Sequence, residues 1–253
     1  MVEVNALKEA LQPNTGLVCV MAVNNETGVL QPIQELAKVA HENGSLFFTD
    51  AVQAAPYMPI NVKGWGVDML SFSSHKFFGP KGCGVLYVKN GVKIEKFVGG
   101  GEQERGLRGG TTNVPSVVGF AAAYEANVAT MSESNEHIVK ISKVFMDKIS
   151  HLDGIFVNGC GEKLPGVVNL RIEGVSNVDL LYKLDLQGVC VAVGSACASG
   201  SIDPSHVLIA MGLTEKQARE CIRISFGKDN TQAEAEKAAN IFIETVKKLR
   251  EFQ

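Results

Sequence analysis

The residues able to do chemistry gather in a few short stretches. The densest is Ser71-Phe72-Ser73-Ser74-His75-Lys76-Phe77-Phe78-Gly79-Pro80-Lys81-Gly82, where an apolar run from Val67 to Phe72 meets two serines, a histidine and a lysine. A lysine at the end of a buried strand is costly to keep charged, and its neutral amine is a nucleophile that forms a Schiff base with an aldehyde. A surface lysine in a loop accounts for the same letters. Asp50 closes another apolar run and is followed by Ala51-Val52-Gln53. A carboxylate there either caps a turn or pairs with a protonated ring nitrogen, the pairing that makes pyridoxal phosphate an electron sink. Gln53 can hydrogen-bond a phenolic oxygen, and Ser73 and His75 can bind phosphate beside Lys76.

Three further stretches stand out. Gly99 to Thr112 is glycine-dense and holds Arg105, Arg108, Thr111 and Thr112, which suits an anion as well as a flexible surface loop. In Gly194-Ser195-Ala196-Cys197-Ala198-Ser199-Gly200-Ser201 the cysteine lies among residues too small for a core, so Cys197 reads as an accessible thiolate nucleophile or as an incidental loop residue. Arg223, in Cys221-Ile222-Arg223-Ile224-Ser225-Phe226, is a solvent-facing strand residue or a bidentate clamp for a carboxylate.

These residues need elements to position them. Leu17 to Val23 is a continuous apolar run, expected as a strand buried on both faces. It ends in the turn cluster Asn24-Asn25-Glu26-Thr27-Gly28. Asn5 is expected to cap a short helix over 6–11, and Gln31 to Asn43 reads as an amphipathic helix with Gly44 after it. Strands follow at 46–49, 67–72 and 84–88, and strands alternating with helices argue for an open α/β sheet. Ligands bind such sheets beyond the carboxyl ends of the strands, where Asn25, Asp50 and Ser73 to Lys76 fall. Helices are expected at 115–130 and 133–152, with a domain boundary in the polar stretch between them. Beyond it, strands at 155–158, 167–172, 189–193 and 222–226, with helices at 178–187, 205–211, 215–220 and 232–252, make a small α+β domain.

Composition narrows the class. The 253 residues are 45% hydrophobic and 20% charged with a formal net charge of -3, so there is no basic footprint for nucleic acid. No apolar run reaches the ~18 residues of a membrane span, and the N-terminus does not read as a signal peptide. A cytoplasmic protein is expected. The six cysteines stand singly, without CxxC pairs or companion histidines, so no metal site is expected. Cys19, Cys83, Cys190 and Cys221 are expected as small core residues.

Asn24-Asn25-Glu26-Thr27-Gly28, Asp50-Ala51-Val52-Gln53, Ser71 to Lys76, Arg105 to Thr111, Gly194 to Cys197 and Arg223 to Gly227 occur in one order along the chain. Together they closely resemble the NifS/IscS-like cysteine desulfurases of the class V aminotransferase group of pyridoxal-phosphate enzymes. The stretch from Cys197 to Leu208 resembles the long-loop type that serves iron–sulfur assembly.

The resemblance implies fold type I, an α/β fold. A large cofactor-binding α/β domain with a mostly parallel sheet would span 1–130, and a small α+β domain over 131–253 would carry a mobile cysteine loop. It implies that Lys76 holds pyridoxal 5'-phosphate and moves the substrate's α-proton. Asp50 would pair with the ring nitrogen, Gln53 would bond the phenolic oxygen, and Asn25 would bond that region or the substrate carboxylate. Ser73 and His75 would bind phosphate, and Thr111 would reach the phosphate of a partner subunit in a homodimer. Arg223 would clamp the carboxylate of L-cysteine. Cys197 would attack the substrate sulfur, become a persulfide and release alanine, the sulfur passing to an acceptor or an iron–sulfur scaffold protein. Nucleic acid enters only through an indirect role in tRNA thiolation. Members of the family carry a preceding segment with a phosphate-binding turn and a ring-stacking histidine. His41, His137, His151 and His206 lie outside that motif, so an N-terminally incomplete cradle is expected. Selenocysteine lyase activity and a cofactor-free sulfur-transfer scaffold are the alternative readings.

Overall fold

Parallel strands have no tight turn available and return through a helix, so helices must separate the first apolar runs. The computed structural model, which describes residues 1–194 and 203–251, has that order. The chain divides into two compact units, one of Val2–Val23 and Gln31–Met131, the other of Met1, Asn24–Leu30 and Ser132–Gln253.

The first unit contains α1 (Val4–Ala10), β1 (Leu17–Cys19), α2 (Ile33–Glu42), β2 (Leu46–Asp50), α3 (Val62–Trp65), β3 (Met69–Ser73) and β4 (Gly84–Val88). Its sheet has the order β1-β2-β3-β4. The first three strands are parallel, with Cys19 opposite Phe48 and Asp50 opposite Ser71, and β4 returns antiparallel to β3. The carboxyl ends of β2 and β3 therefore lie on one edge. Helix α2 turns Ile33, Leu36, Ala37, Val39 and Ala40 inward and packs on β1 and β2. Phe72, Phe77, Phe120 and Tyr124 form an aromatic cluster with ring centroids 5.3 to 6.1 Å apart. Phe77 is 1% exposed, and burial on that scale contributes about 2–3 kcal/mol per ring.

The second unit has an antiparallel sheet in the order β5-β6-β7, from β5 (Ile155–Val157), β6 (Val167–Ile172) and β7 (Cys221–Ser225). The long helix α4 (Val114–Ile149) is shared between the units and is followed by α5 (Asn177–Asp185), α6 (His206–Ala210), α7 (Glu215–Ala218) and α8 (Gln232–Glu251). Phe145 packs on Phe226 and Phe242 at 5.6 and 5.7 Å between centroids, inside a core with Leu170, Ile172, Leu180, Leu184 and Ile222. Ser176, Ser205 and Thr214 cap α5, α6 and α7, the last through a full capping box with Gln217. The segment Asn24–Leu30 groups with this unit because Val29 bridges Lys163 and Asn169 bonds the carbonyl of Glu26.

Several expectations are corrected. The expected pair of helices is one helix of 36 residues, because its polar middle contains no proline or glycine to stop it. The first strand is short and open on one face, with Leu17 and Cys19 exposed around buried Val18. Helix α1 starts at Val4 after Glu3, without a side-chain cap from Asn5, and none of its residues is buried. The expected strand at 189–193 is a single bridge, Ala192 to Arg223, and Cys190 is exposed. Among the described residues no helix is long and apolar enough to cross a membrane.

Candidate active site

The 3-10 turn Ser74–Phe77 leaves the end of β3, and its period decides which way its residues face. With three residues per turn, positions i and i+3 eclipse. Ser74 and Phe77 are accordingly buried, which leaves His75 exposed and Lys76 half-buried between core and solvent. The turn is locked at both ends. The Ser74 amide donates to the Cys83 carbonyl at 3.0 Å, and the Gly79 amide donates to the Ser74 carbonyl at 3.1 Å. Phe78 closes it in the left-handed region with φ of 66°, a conformation a non-glycine residue holds only under the constraint of its surroundings. Gly79 has no room for a side chain, because a Cβ there would strike the Ser74 hydroxyl.

Asp50 ends the neighbouring strand. Its Oδ1 accepts from the Val52 amide at 2.8 Å, starting the turns that carry half-buried Gln53, and the Ala51 amide donates to the Ser71 carbonyl at 2.8 Å. Asp50 therefore does cap a turn, as one sequence reading allowed, and keeps a second oxygen for other partners. Gln53, Ser73, His75 and Lys76 engage no protein group through their side chains among the described residues. Thr49 and Ser74, one position from Asp50 and Ser73, have buried hydroxyls without a partner among the described residues. One edge thus carries an amine, an imidazole, a hydroxyl, an amide and a carboxylate whose hydrogen-bonding capacity the fold leaves open. That donor set fits a phosphorylated pyridine aldehyde. Thr111 is exposed and also without a protein partner among the described residues. Arg108 turns back to the Gly109 carbonyl at 2.8 Å, while Arg105 is exposed.

In the second unit, Asn24 folds the following residues into a turn: its Oδ1 accepts from the Glu26 amide, the Thr27 amide and the Thr27 hydroxyl at 2.9 to 3.0 Å. Gly28, with φ of 72°, closes it against Val167. Arg223 on β7 donates from Nη1 to the Asn25 carbonyl at 2.7 Å. Its Nε is buried without a partner, and no carboxylate lies within ion-pair distance of it among the described residues. Burial pushes the guanidinium pKa down, and the carboxylate of Glu26 pulls it back up. A half-buried arginine without a counter-ion suits a carboxylate ligand better than a solvent-facing role. Asn25 offers its own half-buried side chain beside this contact.

Cys197 lies outside the described residues. Burial drives the Cys221 thiol pKa up to about 11, which removes it as a nucleophile near neutral pH. His41 bonds Asp68 and His137 bonds the Asn230 carbonyl, each at 2.7 Å, so both rings hold structure together. Glu26 and Ser205 are functional candidates that residue type and spacing do not single out. Glu26 is 1% exposed and takes a 2.6 Å hydrogen bond from Ser205. The only signal for it was its place between Asn25 and Thr27 in the turn cluster.

The sequence pattern of the Aminotransferase class-V family matches residues 1–237. The chain is 40% identical over 251 residues to "Cysteine desulfurase IscS" of Methanosarcina thermophila, covering 99% of this chain and 62% of the relative. It is 45% identical to "Putative cysteine desulfurase IscS 1" of Bacillus subtilis, covering 98% and 66%. Its fold matches a NifS-like protein from Rickettsia africae with a TM-score of 0.86 at 30% identity, over 99% of this chain and 67% of that one. The chain thus spans somewhat under two thirds of the first of these relatives. The shared fold is that of the pyridoxal-phosphate enzymes of fold type I, and with the profile match over nearly its whole length, this chain belongs to the Aminotransferase class-V family.

Proposed function

We propose that the chain works as a pyridoxal-phosphate-dependent cysteine desulfurase, converting L-cysteine to L-alanine and leaving a persulfide on Cys197. The observation that carries the reading is the set of side chains at the edge of Lys76, namely Gln53, Ser73 and His75, that engage no protein group among the described residues, on the edge that also presents Asp50. The relatives named cysteine desulfurase support it.

In this reading the Lys76 amine would hold the cofactor by its aldehyde and would carry the substrate's α-proton. Asp50 would pair with the protonated ring nitrogen, Gln53 would bond the phenolic oxygen, and Ser73 and His75 would take the phosphate. Thr111 would reach the phosphate held by a partner subunit, which would make the active form a homodimer. When bound, the cofactor supplies an electron sink for the substrate's α-carbon. Asn25 and Arg223 orient the substrate carboxylate. The Cys197 thiolate attacks the cysteine sulfur; the S–S bond forms as the carbon–sulfur bond breaks, the electron pair stays on carbon, and a proton completes alanine. No external oxidant is needed, and the persulfide sulfur passes to an acceptor thiol or an iron–sulfur scaffold protein. The free thiols of Cys19, Cys83, Cys160, Cys190 and Cys221 suit a reducing, cytoplasmic compartment.

The test is the absorbance of the chain with added pyridoxal phosphate, followed by borohydride reduction and peptide mass measurement. A yellow protein with a pyridoxyl adduct on Lys76 is expected. A chain that stays colourless and unmodified refutes the cofactor assignment, and persulfide formation by Cys197→Ala at the wild-type rate refutes the nucleophile.

A further inference from the structure

Asn169 is a polar residue inside an apolar strand. It is 2% exposed on β6, next to fully buried Leu170. A buried amide is expensive to desolvate unless both its ends find partners. Both do here: Oδ1 accepts from Asn158 Nδ2 at 2.7 Å, and Nδ2 donates to the Glu26 carbonyl at 3.2 Å. Asn158 is held in turn, its carbonyl accepting from Lys163 Nζ at 2.6 Å. The sheet register sets Asn169 opposite Arg223 on β7. Directly opposed residues of antiparallel strands send their side chains to the same face. From that face both reach one turn, on consecutive carbonyls: Arg223 Nη1 donates to that of Asn25 at 2.7 Å, and Asn169 to that of Glu26. A guanidinium has five donors in a planar fork. Holding Nη1 stops the plane from turning and leaves the edge of Nε and Nη2 for a bidentate carboxylate. The Nε on that edge is buried without a partner among the described residues.

We infer that Asn169 is a positioning residue for the substrate carboxylate. It fixes the Glu26 carbonyl, and with it the adjoining Asn25 carbonyl, so that Arg223 is clamped through Nη1 and presents its Nε edge. That Arg223 receives the substrate carboxylate rests on the desulfurase reading. That Asn169 sets Arg223 stands independently of it.

The experiment uses the whole chain with pyridoxal phosphate and compares Asn169→Leu, Asn169→Asp and Thr245→Val. Thr245 is the control: it is 2% exposed on α8, accepts from Gln187 at 2.9 Å and donates to the Ile241 carbonyl at 2.7 Å. Its replacement removes a buried hydroxyl from the same unit without touching the turn. Two readouts are taken. One is KM against kcat for cysteine. The other is the rate at which phenylglyoxal modifies Arg223, resolved by peptide mass, with exposed Arg105 as internal reference and with L-alanine as a protecting carboxylate. Asn169→Leu is expected to raise KM about fivefold, the scale of one lost hydrogen bond, with a smaller change in kcat, and to speed Arg223 modification about threefold. Asn169→Asp keeps the acceptor for Asn158 but sets a carboxylate opposite Arg223. It is expected to raise KM about thirtyfold and to slow Arg223 modification, because the new charge occupies the fork. Opposite signs from two substitutions at one site are not what a merely structural role produces. The inference is overturned if Arg223 reacts at the wild-type rate in both Asn169 variants, or if Thr245→Val reproduces their changes. Should Asn169→Leu not fold, the isosteric Asn169→Asp decides on the same readouts. If L-alanine leaves wild-type Arg223 unprotected and cysteine is not turned over, the desulfurase reading of Arg223 fails. The modification rates then still decide whether Asn169 sets Arg223.

Discussion

Replacing Asp68 should loosen the sheet at the end of its strands opposite to Asp50 and Lys76. Asp68 is 3% exposed and sits just before β3. Its Oδ2 accepts from the Phe47 amide at 2.9 Å and contacts His41 Nε2 at 2.7 Å, while Oδ1 accepts from Lys89 Nζ at 3.1 Å. The Asp68 carbonyl also accepts from the Lys89 amide, so this one residue ties β2, β3, α2 and the end of β4. In Asp68→Ala the fully buried Phe47 amide loses its partner, which costs about 1–3 kcal/mol. The contact to half-exposed Lys89 adds about 0–1 kcal/mol after solvent screening. The His41 hydrogen bond adds about 1 kcal/mol. The expected loss is about 2–5 kcal/mol, and about half of that for Asp68→Asn, which keeps one acceptor oxygen. Urea unfolding followed by circular dichroism measures it. Burial pushes the Asp68 pKa up, but the bonds from His41, the Phe47 amide and Lys89 outweigh burial and hold it below its ordinary 3.8. A depressed carboxylate stabilises the fold above its unfolded value and ceases to do so as pH falls through the folded one. The gap between wild type and Asp68→Ala should therefore be full near pH 7 and shrink below pH 3.8. An Asp68→Ala protein within about 0.5 kcal/mol of wild type at neutral pH, the ordinary scatter of surface changes, would refute this account.

Three further outcomes follow from the same structure. Gly79→Ala should cost about 1–3 kcal/mol by overpacking, since the new Cβ meets the Ser74 hydroxyl and lies 3.2 Å from Ala123 Cβ; an unchanged melting temperature would show that the turn yields. Folded protein treated with iodoacetamide near pH 8 should label Cys19, Cys160 and Cys190 well before Cys221, whose buried thiol has its pKa pushed up to about 11, and early labelling of Cys221 would contradict its burial. Arg223→Lys should raise KM for cysteine about tenfold with less effect on kcat, because a point charge replaces a planar fork, and an unchanged KM would remove Arg223 from the substrate carboxylate.

Where sequence reading and structure differ, the physical causes are specific. Cys19 and Cys190 lie in apolar company and were expected in the core, but in an extended chain alternate residues face opposite ways, and composition does not say which way each one points. The polar run from Ala129 to Asn135 was expected to separate two helices, yet residues with modest helix propensity and no proline continue one helix at little cost. Leu17 to Val23 is apolar throughout, but only Leu17–Cys19 is strand, because hydropathy records a tendency to be buried and not the pairing of backbone groups.

The sequence by itself determined the class of this protein. Apolar runs of strand length separated by a helical period call for an open α/β sheet, and Asp50 and Lys76 stand at the ends of such runs. Residue type alone set what each group can do: an amine that attacks an aldehyde, a carboxylate that pairs with a ring nitrogen, a guanidinium that takes a carboxylate. Only the tertiary structure decided which groups are left open to act. Its 3-10 turn sends Ser74 and Phe77 inward and so leaves His75 exposed and Lys76 half-buried. It consumes His41 and His137 in structural bonds and leaves Lys76 without a partner among the described residues. It also brings Ser205 onto Glu26 across 179 positions of chain. Engagement depends on which atoms lie within hydrogen-bonding reach, and that is set by packing between segments far apart in the sequence.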